Sequence, residues 1–146
     1  MNANVAVYGM AVSGEFAYLA QGEAGLQVLN ISAPANVRAV SRYGTLSGAG
    51  ARGVAVSGNY AYVAISFGLL ETPRDPQGFI VLDFGDPENP VRVGQESSHY
   101  ELTSITISGE YAYVTDYRED LQVIDISDPS SPQRVGGFES GVDLGA

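Results

Sequence analysis

The stretch Ile105-Thr-Ile-Ser-Gly-Glu-Tyr-Ala-Tyr-Val-Thr115, followed by Asp120-Leu-Gln-Val-Ile-Asp-Ile-Ser127, decides the fold of this chain. Two imperfect copies of the same pattern precede it, at 10–20 with 25–32 and at 54–64 with 78–85. A pattern that recurs at a fixed period indicates a structural unit that buries its faces by stacking on its neighbours. The sequence therefore predicts a repeat architecture before it indicates any function.

Each copy contains four strand-like segments. The first is rich in small residues and ends in Ser-Gly, which is typical of a hairpin turn. The second alternates aromatic residues with alanine, and the third is an apolar run typical of a strand covered on both faces. The fourth follows a turn that contains proline. The predicted strands are 9–13, 53–57 and 104–108 (first), 16–20, 60–64 and 111–115 (second), 26–31, 79–84 and 121–126 (third), and 37–43, 91–95 and 133–138 (fourth).

The order of these segments favours propeller blades. Small residues on the first strand suit a crowded position near an axis, and Arg38, Arg92 and Arg134 on the fourth suit an exposed edge. Without the extra residues at 66–77, the repeat is about 42 residues long, the length of a four-stranded blade. We predict an all-β, β-propeller-like fold of three four-stranded antiparallel blades. They form one domain over 1–146, with repeats at approximately 9–43, 53–95 and 104–138.

Composition limits the classes of partner. The chain has 146 residues, 7 basic and 17 acidic, with a net charge of -10, which disfavours nucleic acid and anionic membrane. It contains 0 cysteines, so disulfide and thiolate chemistry are excluded. No apolar run reaches the roughly 20 residues that cross a bilayer, so membrane insertion is not expected. The N-terminus lacks the pattern of a secretory signal, so either the protein stays inside the cell or a signal has been removed.

The repeat resembles the LVIVD repeat family of bacterial and archaeal β-propeller-like proteins. The resemblance rests on residues 56–64 and on 121–132, and it extends over about 9–138. The first copy departs from the pattern, because Asn30 replaces the acid of the third strand and 33–37 replaces the Asp-Pro-x-x-Pro turn. The resemblance implies a propeller-like fold and an extracellular or cell-surface location. It implies no catalytic residues.

Three blades are fewer than a closed ring needs, since propellers typically have four to eight. The last residues, 137–146, stop close to where a further first strand would begin. Two interpretations follow: the chain is a fragment of a longer propeller, or two copies form a six-bladed ring as a homodimer. The fragment interpretation needs no additional assumption.

Acids recur at two positions, one in the third strand and one just after it. Asp83 and Asp125 occupy one position, and Asp86 and Asp128 follow three residues later. A functional interpretation makes them metal ligands or an acid pair. A structural interpretation is favoured: the second acid caps a proline turn, and the first accepts backbone N–H groups from a neighbouring loop. Asn30 in the first copy supports the structural interpretation, because it preserves the shape but not the charge.

Three loops supply the remaining candidate site residues. Asp116, Glu119 and Asp120 lie on one loop whose carboxylates are suitable for Ca²⁺, although such a run is more often a solvated hairpin tip. The expected cofactor is therefore none, with calcium as the alternative. An insertion and an inter-repeat loop provide a candidate ligand-binding surface, because exposed apolar loop residues often make contacts. These residues are Phe67, Leu69, Leu70, His99 and Tyr100.

Two functions of different classes remain open from the sequence. The favoured one is a non-catalytic repeat scaffold or binding module for protein–protein or cell-surface interactions, with a protein or carbohydrate as ligand. The alternative is a carbohydrate-active or hydrolytic enzyme that uses acids near the propeller axis. Convergence of Asp83, Asp116, Asp125 and His99 in one cleft would favour the enzyme.

Overall fold

The computed structural model describes residues 6–44, 50–66, 78–97, 102–116 and 121–138. Within these residues the regular structure is β-strand, and every strand overlaps a segment that the repeat pattern predicts. The strands are β1 (Gly9–Ser13), β2 (Phe16–Ala20), β3 (Leu26–Asn30), β4 (Arg38–Tyr43), β5 (Gly50–Ser57), β6 (Tyr60–Ser66), β7 (Gly78–Asp83), β8 (Val91–Ser97), β9 (Leu102–Ser108), β10 (Tyr111–Asp116), β11 (Leu121–Asp125) and β12 (Gln133–Phe138).

The strands form three separate four-stranded antiparallel sheets, each in sequence order. We call them blade 1 (β1–β4), blade 2 (β5–β8) and blade 3 (β9–β12). The first strands pack in series, β1 against β5 and β5 against β9, so they are the inner strands. The fourth strands are the outer edges, and β12 is exposed along its whole length. This arrangement is consistent with propeller blades and confirms the predicted fold class.

The first hairpin turn of each blade depends on a glycine. Gly14, Gly58 and Gly109 have φ values of 60°, 61° and 62°, which lie in the left-handed region that glycine adopts at little cost. The Ser-Gly signal in the sequence therefore located all three turns. A backbone hydrogen bond then joins each turn to the residue that follows the third strand, with donors at Ile31, Phe84 and Ile126 and acceptors at Glu15, Asn59 and Glu110.

Each blade also has a β-bulge at the same place. The pairing between the third and fourth strands shifts after Val28, Val81 and Val123. The unpaired residue on the outer strand is a valine every time: Val40, Val93 and Val135. Bulges increase local twist and re-aim side chains, and a bulge that recurs in every repeat is a property of the unit.

The core consists of two apolar clusters, and each cluster lies between two blades. The first joins blade 1 to blade 2, with Tyr18, Val28 and Leu82 among its members. The second joins blade 2 to blade 3, with Phe79 and Ile124 among its members. The blades are therefore stabilised by the burial of their faces against each other, as repeat proteins require.

Candidate functional site

The acid of the third strand is a turn residue. Asp125 Oδ1 accepts hydrogen bonds from Ser127 N at 2.8 Å and from Ser127 Oγ at 2.7 Å. These bonds lower the pKa of the Asp125 carboxyl below its ordinary value, the bond from the backbone N–H contributing most. Asp83 Oδ1 likewise accepts from Gly85 N at 2.7 Å. The acceptors thus serve their own turns in exposed positions, whereas the sequence analysis expected donors from a neighbouring loop.

Asn30 confirms the structural interpretation, since it performs the same task without a charge. Its Oδ1 accepts from Ser32 N at 2.9 Å and from Ser32 Oγ at 2.7 Å. An acid is therefore not required at this position of the repeat. The amide and the carboxylate each supply the one acceptor atom that the turn uses.

The second recurring acid caps the following turn, as the sequence predicts. Asp86 Oδ1 accepts from Glu88 N at 3.1 Å, and Asp128 Oδ1 accepts from Ser130 N at 3.0 Å and Ser130 Oγ at 2.7 Å. Both acids precede a proline, so they fix the turn before the outer strand. The two acids of each turn are thus occupied in local hydrogen bonds.

The predicted acidic loop begins in a buried position. Asp116 is the last residue of β10, and its Oδ2 accepts a hydrogen bond from Gln122 Nε2 of β11. Both side chains are buried. Glu119 and Asp120 lie outside the described residues, so the calcium site stays a prediction. Among the described residues, no group of three His, Cys, Asp or Glu side chains could hold a metal ion.

The acids that were to test the enzyme hypothesis lie apart. Asp83 and Asp125 belong to different blades, each at its own turn. Asp116 is at the other end of the β10–β11 pair from Asp125, because Asp125 lies opposite Tyr111 at the start of β10. His99 and the other predicted ligand-binding residues, Phe67, Leu69, Leu70 and Tyr100, lie outside the described residues.

Each blade has two unlike faces. We call one the aliphatic face; in blade 2 it carries Val54, Val63 and Leu82 and packs on blade 1. We call the other the aromatic face; in blade 2 it carries Tyr62 and Phe79, with the bulge residue Val93 beside them, and packs on blade 3. Within the described blades, every contact between blades therefore brings an aliphatic face onto an aromatic face.

The two outer blades each leave one face uncovered. Met10, on the aliphatic face of blade 1, is 61% exposed, whereas the equivalent Val54 and Ile105 are 7% and 8% exposed. Val135, the bulge residue on the aromatic face of blade 3, is 57% exposed, whereas Val40 and Val93 pack against the clusters. The sequence analysis named none of these residues as contact residues. An alignment of the three repeats could have identified them, because equivalent positions of stacked repeats lie on equivalent faces.

A repeated joint holds neighbouring blades together at their outer strands. Ser41 Oγ of blade 1 donates a hydrogen bond to the Pro87 carbonyl oxygen of blade 2 at 2.8 Å. Gly94 takes the place of Ser41 in blade 2 and lies directly against the Pro129 carbonyl oxygen of blade 3. The third copy of the position is Gly136, where an added Cβ would meet no atom of the described structure within 4 Å.

Comparison with known families supports the architecture. A family model, the LVIVD repeat, matches residues 4–45, 48–70 and 102–139. These segments make up more than half of the chain. The chain belongs to the LVIVD repeat family. None of the curated proteins compared matches the sequence. The second match ends at residue 70, but the sheet of blade 2 in this LVIVD repeat protein continues through β7 and β8.

The LVIVD repeats also form a groove of about 300 Å³ between blades 1 and 2, at the end where the first hairpin turns lie. Its walls include Phe16 and Tyr18 of blade 1 and Asn59 and Phe84 of blade 2. The rings of Tyr18 and Phe84 meet edge to face, with centroids 5.2 Å apart. Burial raises the pKa of the Tyr18 phenol. The sequence did not indicate this groove, because it exists only where two repeats meet.

One further finding bears on the expectation about membranes. The described residues contain no helix that is long and apolar enough to cross a membrane.

Proposed function

We propose that this chain is a non-catalytic LVIVD repeat scaffold that binds other proteins through its blade faces. The observation that carries the proposal is the exposure of apolar side chains at positions that are buried or partly buried wherever a neighbouring blade is present. Met10 on blade 1 and Val135 on blade 3 are the clearest cases. Exposed apolar patches of this kind on a soluble domain are typical of interaction sites.

The use of the recurring acids supports the non-catalytic part of the proposal. A catalytic acid or nucleophile needs a carboxyl group that is free to act on a substrate. In this chain Asp83 and Asp125 hold turns, and Asn30 does the same work in blade 1. Asn30, Asp83 and Asp125 therefore all have a structural role, and at Asn30 the turn forms without a negative charge.

The partner's chemistry follows from the contacts inside the chain. The aromatic face of blade 2 is covered by aliphatic side chains of blade 3, and its aliphatic face is covered by the aromatic face of blade 1, on which Tyr18 lies beside Leu26 and Val28. A protein partner for an outer blade should therefore present a β-sheet face of the complementary kind. Small and branched aliphatic residues suit blade 3, and a face with tyrosine or phenylalanine suits blade 1.

A fluorescent dye for apolar surface, 1-anilinonaphthalene-8-sulfonate, tests the binding faces. Met10→Arg and Val135→Arg each place a charge on one outer face and leave the other face intact. Each single variant should bind more dye than the Met10→Arg/Val135→Arg double variant. Val91→Arg, at the exposed start of β8 in blade 2, is the charge-matched control and should not lower dye binding. Equal dye binding by the single and double variants would contradict the proposed faces.

Activity assays test the alternative function. A hydrolytic or carbohydrate-active role gains support from the groove, whose walls include Phe16 and Tyr18, since aromatic rings can stack on sugars. We expect no turnover of chromogenic glycosides or carboxylic esters above the buffer rate. Turnover that Asp83→Asn or Asp125→Asn abolishes, without loss of folding, would replace the scaffold proposal with an enzyme.

A further inference from the structure

We propose that two copies of this chain associate head to tail, with the aliphatic face of blade 1 in one copy covering the aromatic face of blade 3 in the other. The inference rests on the proposed function and names the partner of those faces as a second copy. Each chain carries both halves of the contact, one at each end of its series of blades. The sequence is compatible with such a homodimer as well as with a fragment of a longer propeller.

Apolar residues exposed on blade 1 occupy positions that are covered in blades 2 and 3. Met10 takes the place that Val54 and Ile105 hold at the two contacts inside the chain, where both are buried. Val12, equally exposed on blade 1, takes the place of Val56 and Ile107, which pack against the core clusters. The uncovered aliphatic face thus repeats a surface that the same protein already buries twice.

The aromatic face of blade 3 supports the same conclusion. Tyr111 is 40% exposed, whereas the equivalent Phe16 and Tyr60 pack against the two clusters. Val135 repeats the bulge that places Val40 and Val93 against a following blade. This face therefore matches an aliphatic face of the kind that blade 1 presents.

The outer joint gives a second, independent argument. In both contacts inside the chain, the residue after the bulge valine meets a proline carbonyl oxygen of the next blade. Gly136 is that residue in blade 3, and an added Cβ there would meet open space in the described structure. Pro34 is the equivalent proline in blade 1. A head-to-tail contact would bring Pro34 of one copy against Gly136 of the other and complete a third joint of the same kind.

The way in which blade faces pair inside the chain decides how two copies associate. Because each contact inside the chain packs an aliphatic face on an aromatic face, the same contact between two copies joins unlike ends and is heterologous. A heterologous contact either closes into a ring or continues as a filament. Two copies bring six blades, a number within the four to eight that closed propellers typically contain. The net charge of -10 opposes association at low ionic strength, so added salt should strengthen the contact.

Sedimentation velocity from about 1 µM to about 200 µM tests the proposal directly. The chain of 15.3 kDa should sediment as a dimer in the upper part of this range. Met10→Arg and Val135→Arg should each weaken association by about 100-fold or more, because an unpaired charge would be buried at both contacts of a ring. Val91→Arg should associate like the unsubstituted chain.

Mixing the two single variants distinguishes the head-to-tail contact from the alternatives. The Met10→Arg chain keeps an intact aromatic face and the Val135→Arg chain keeps an intact aliphatic face. An equimolar mixture should therefore form a heterodimer through one undamaged contact, although each variant alone is a monomer. Longer species of the unsubstituted chain, which the mixture of variants limits to a heterodimer, also support the contact and show that it does not close after two copies.

Several results would overturn the proposal. One is a monomer at every concentration for the unsubstituted chain, another is a dimer that survives either single substitution, and a third is a mixture that stays monomeric. Circular dichroism checks that the variants fold, and Val12→Arg with Tyr111→Arg provides a second pair if one does not. A monomer whose single variants still bind more dye than the double variant would leave the scaffold function standing with a different partner.

Discussion

The joint between blades 1 and 2 and the joint between blades 2 and 3 use equivalent positions with different chemistry. In the first, the Ser41 hydroxyl donates to the Pro87 carbonyl oxygen across 2.8 Å. In the second, Gly94 lacks a side chain and the Pro129 carbonyl oxygen lies directly against it. The same two positions of the repeat meet in both joints, but the backbones approach so closely at Gly94 that no side chain fits, whereas at Ser41 a hydroxyl group bridges the two blades.

Away from the outer strands, the two interfaces between blades also use equivalent positions with different chemistry. Blade 2 presents Ile65 and Ile80 to blade 1, and both are apolar members of the first cluster. Blade 3 presents Asp116 and Gln122 to blade 2 at the equivalent positions, and these form a buried hydrogen-bonded pair. The second joint therefore depends on a polar pair that the first joint does without.

The largest expected effect tests what the two joints share. Leu82→Ala in the first joint and Ile124→Ala in the second should each lower the free energy of unfolding by about 3 kcal/mol, because both side chains are buried. Leu29→Ala is the matched control, since Leu29 has the same position on the uncovered face of blade 1. It is best measured in the Val135→Arg background, and its loss should be about 1 kcal/mol or less. Urea denaturation gives the three values, and a much smaller loss for Ile124→Ala would mean that the joints are not energetically equivalent.

The next effect concerns the absence of a side chain in the second joint. Gly94→Ala should destabilise the protein by about 2 kcal/mol, because the new Cβ would overlap the Pro129 carbonyl oxygen and force the blades apart. Gly136→Ala in the Val135→Arg background should change the free energy of unfolding by less than about 0.5 kcal/mol. Equal effects of the two substitutions would refute the close approach at Gly94.

The polar pair of the second joint should have an intermediate effect. Gln122→Ile removes one donor to buried Asp116 and should cost about 1.5 kcal/mol. The double substitution Asp116→Ile/Gln122→Ile reproduces the apolar residues of the first joint and should recover at least half of that loss. Thermal unfolding of the three proteins gives the comparison. A double variant less stable than Gln122→Ile alone would show that Asp116 has a structural role of its own.

Removal of the hydroxyl from the first joint should have a smaller effect. Ser41→Ala leaves the Pro87 carbonyl oxygen without this donor and should lower the free energy of unfolding by about 1 kcal/mol. Ser41→Gly reproduces the residue of the second joint and adds the cost of a flexible backbone. If Ser41→Ala is as stable as the unsubstituted protein, the hydrogen bond contributes nothing to the joint.

The smallest effect is electrostatic and lies outside the joints. The pKa of Asp125 is lowered below 3.8 by its hydrogen bonds with Ser127, so its contribution to stability is present above pH 3.8 and is lost as the pH falls through the lowered pKa. Asp125→Asn keeps the acceptor, as Asn30 shows in blade 1. Its thermal midpoint should therefore fall less than that of the unsubstituted protein on acidification below pH 3.8. If the thermal midpoints of the two proteins fall equally on acidification, Asp125 does not contribute to the pH dependence of stability.

Sequence alone placed the strands because the signals that define them are local. Alternation at period two, the Ser-Gly turns and the prolines before the outer strands are read within a few residues. Asn30 was correctly interpreted as a preserved turn residue for the same reason. The prediction that a neighbouring loop donates the hydrogen bonds to Asp83 and Asp125 was wrong, because a sequence does not distinguish a donor within the turn from a donor in a nearby loop.

By itself, the sequence of this LVIVD repeat protein determined the number of units, the order of strands in each and the chemistry of the two blade faces. Only the tertiary structure decided which faces are covered, since burial belongs to a pair of blades and the same pattern is buried in blade 2 and exposed on the outer blades. The joints at Ser41 and Gly94, the pairing of Asp116 with Gln122 and the groove beside Tyr18 arise where two repeats meet. Contacts between distant residues leave no periodic signal in a chain, so they appear only once the blades are packed.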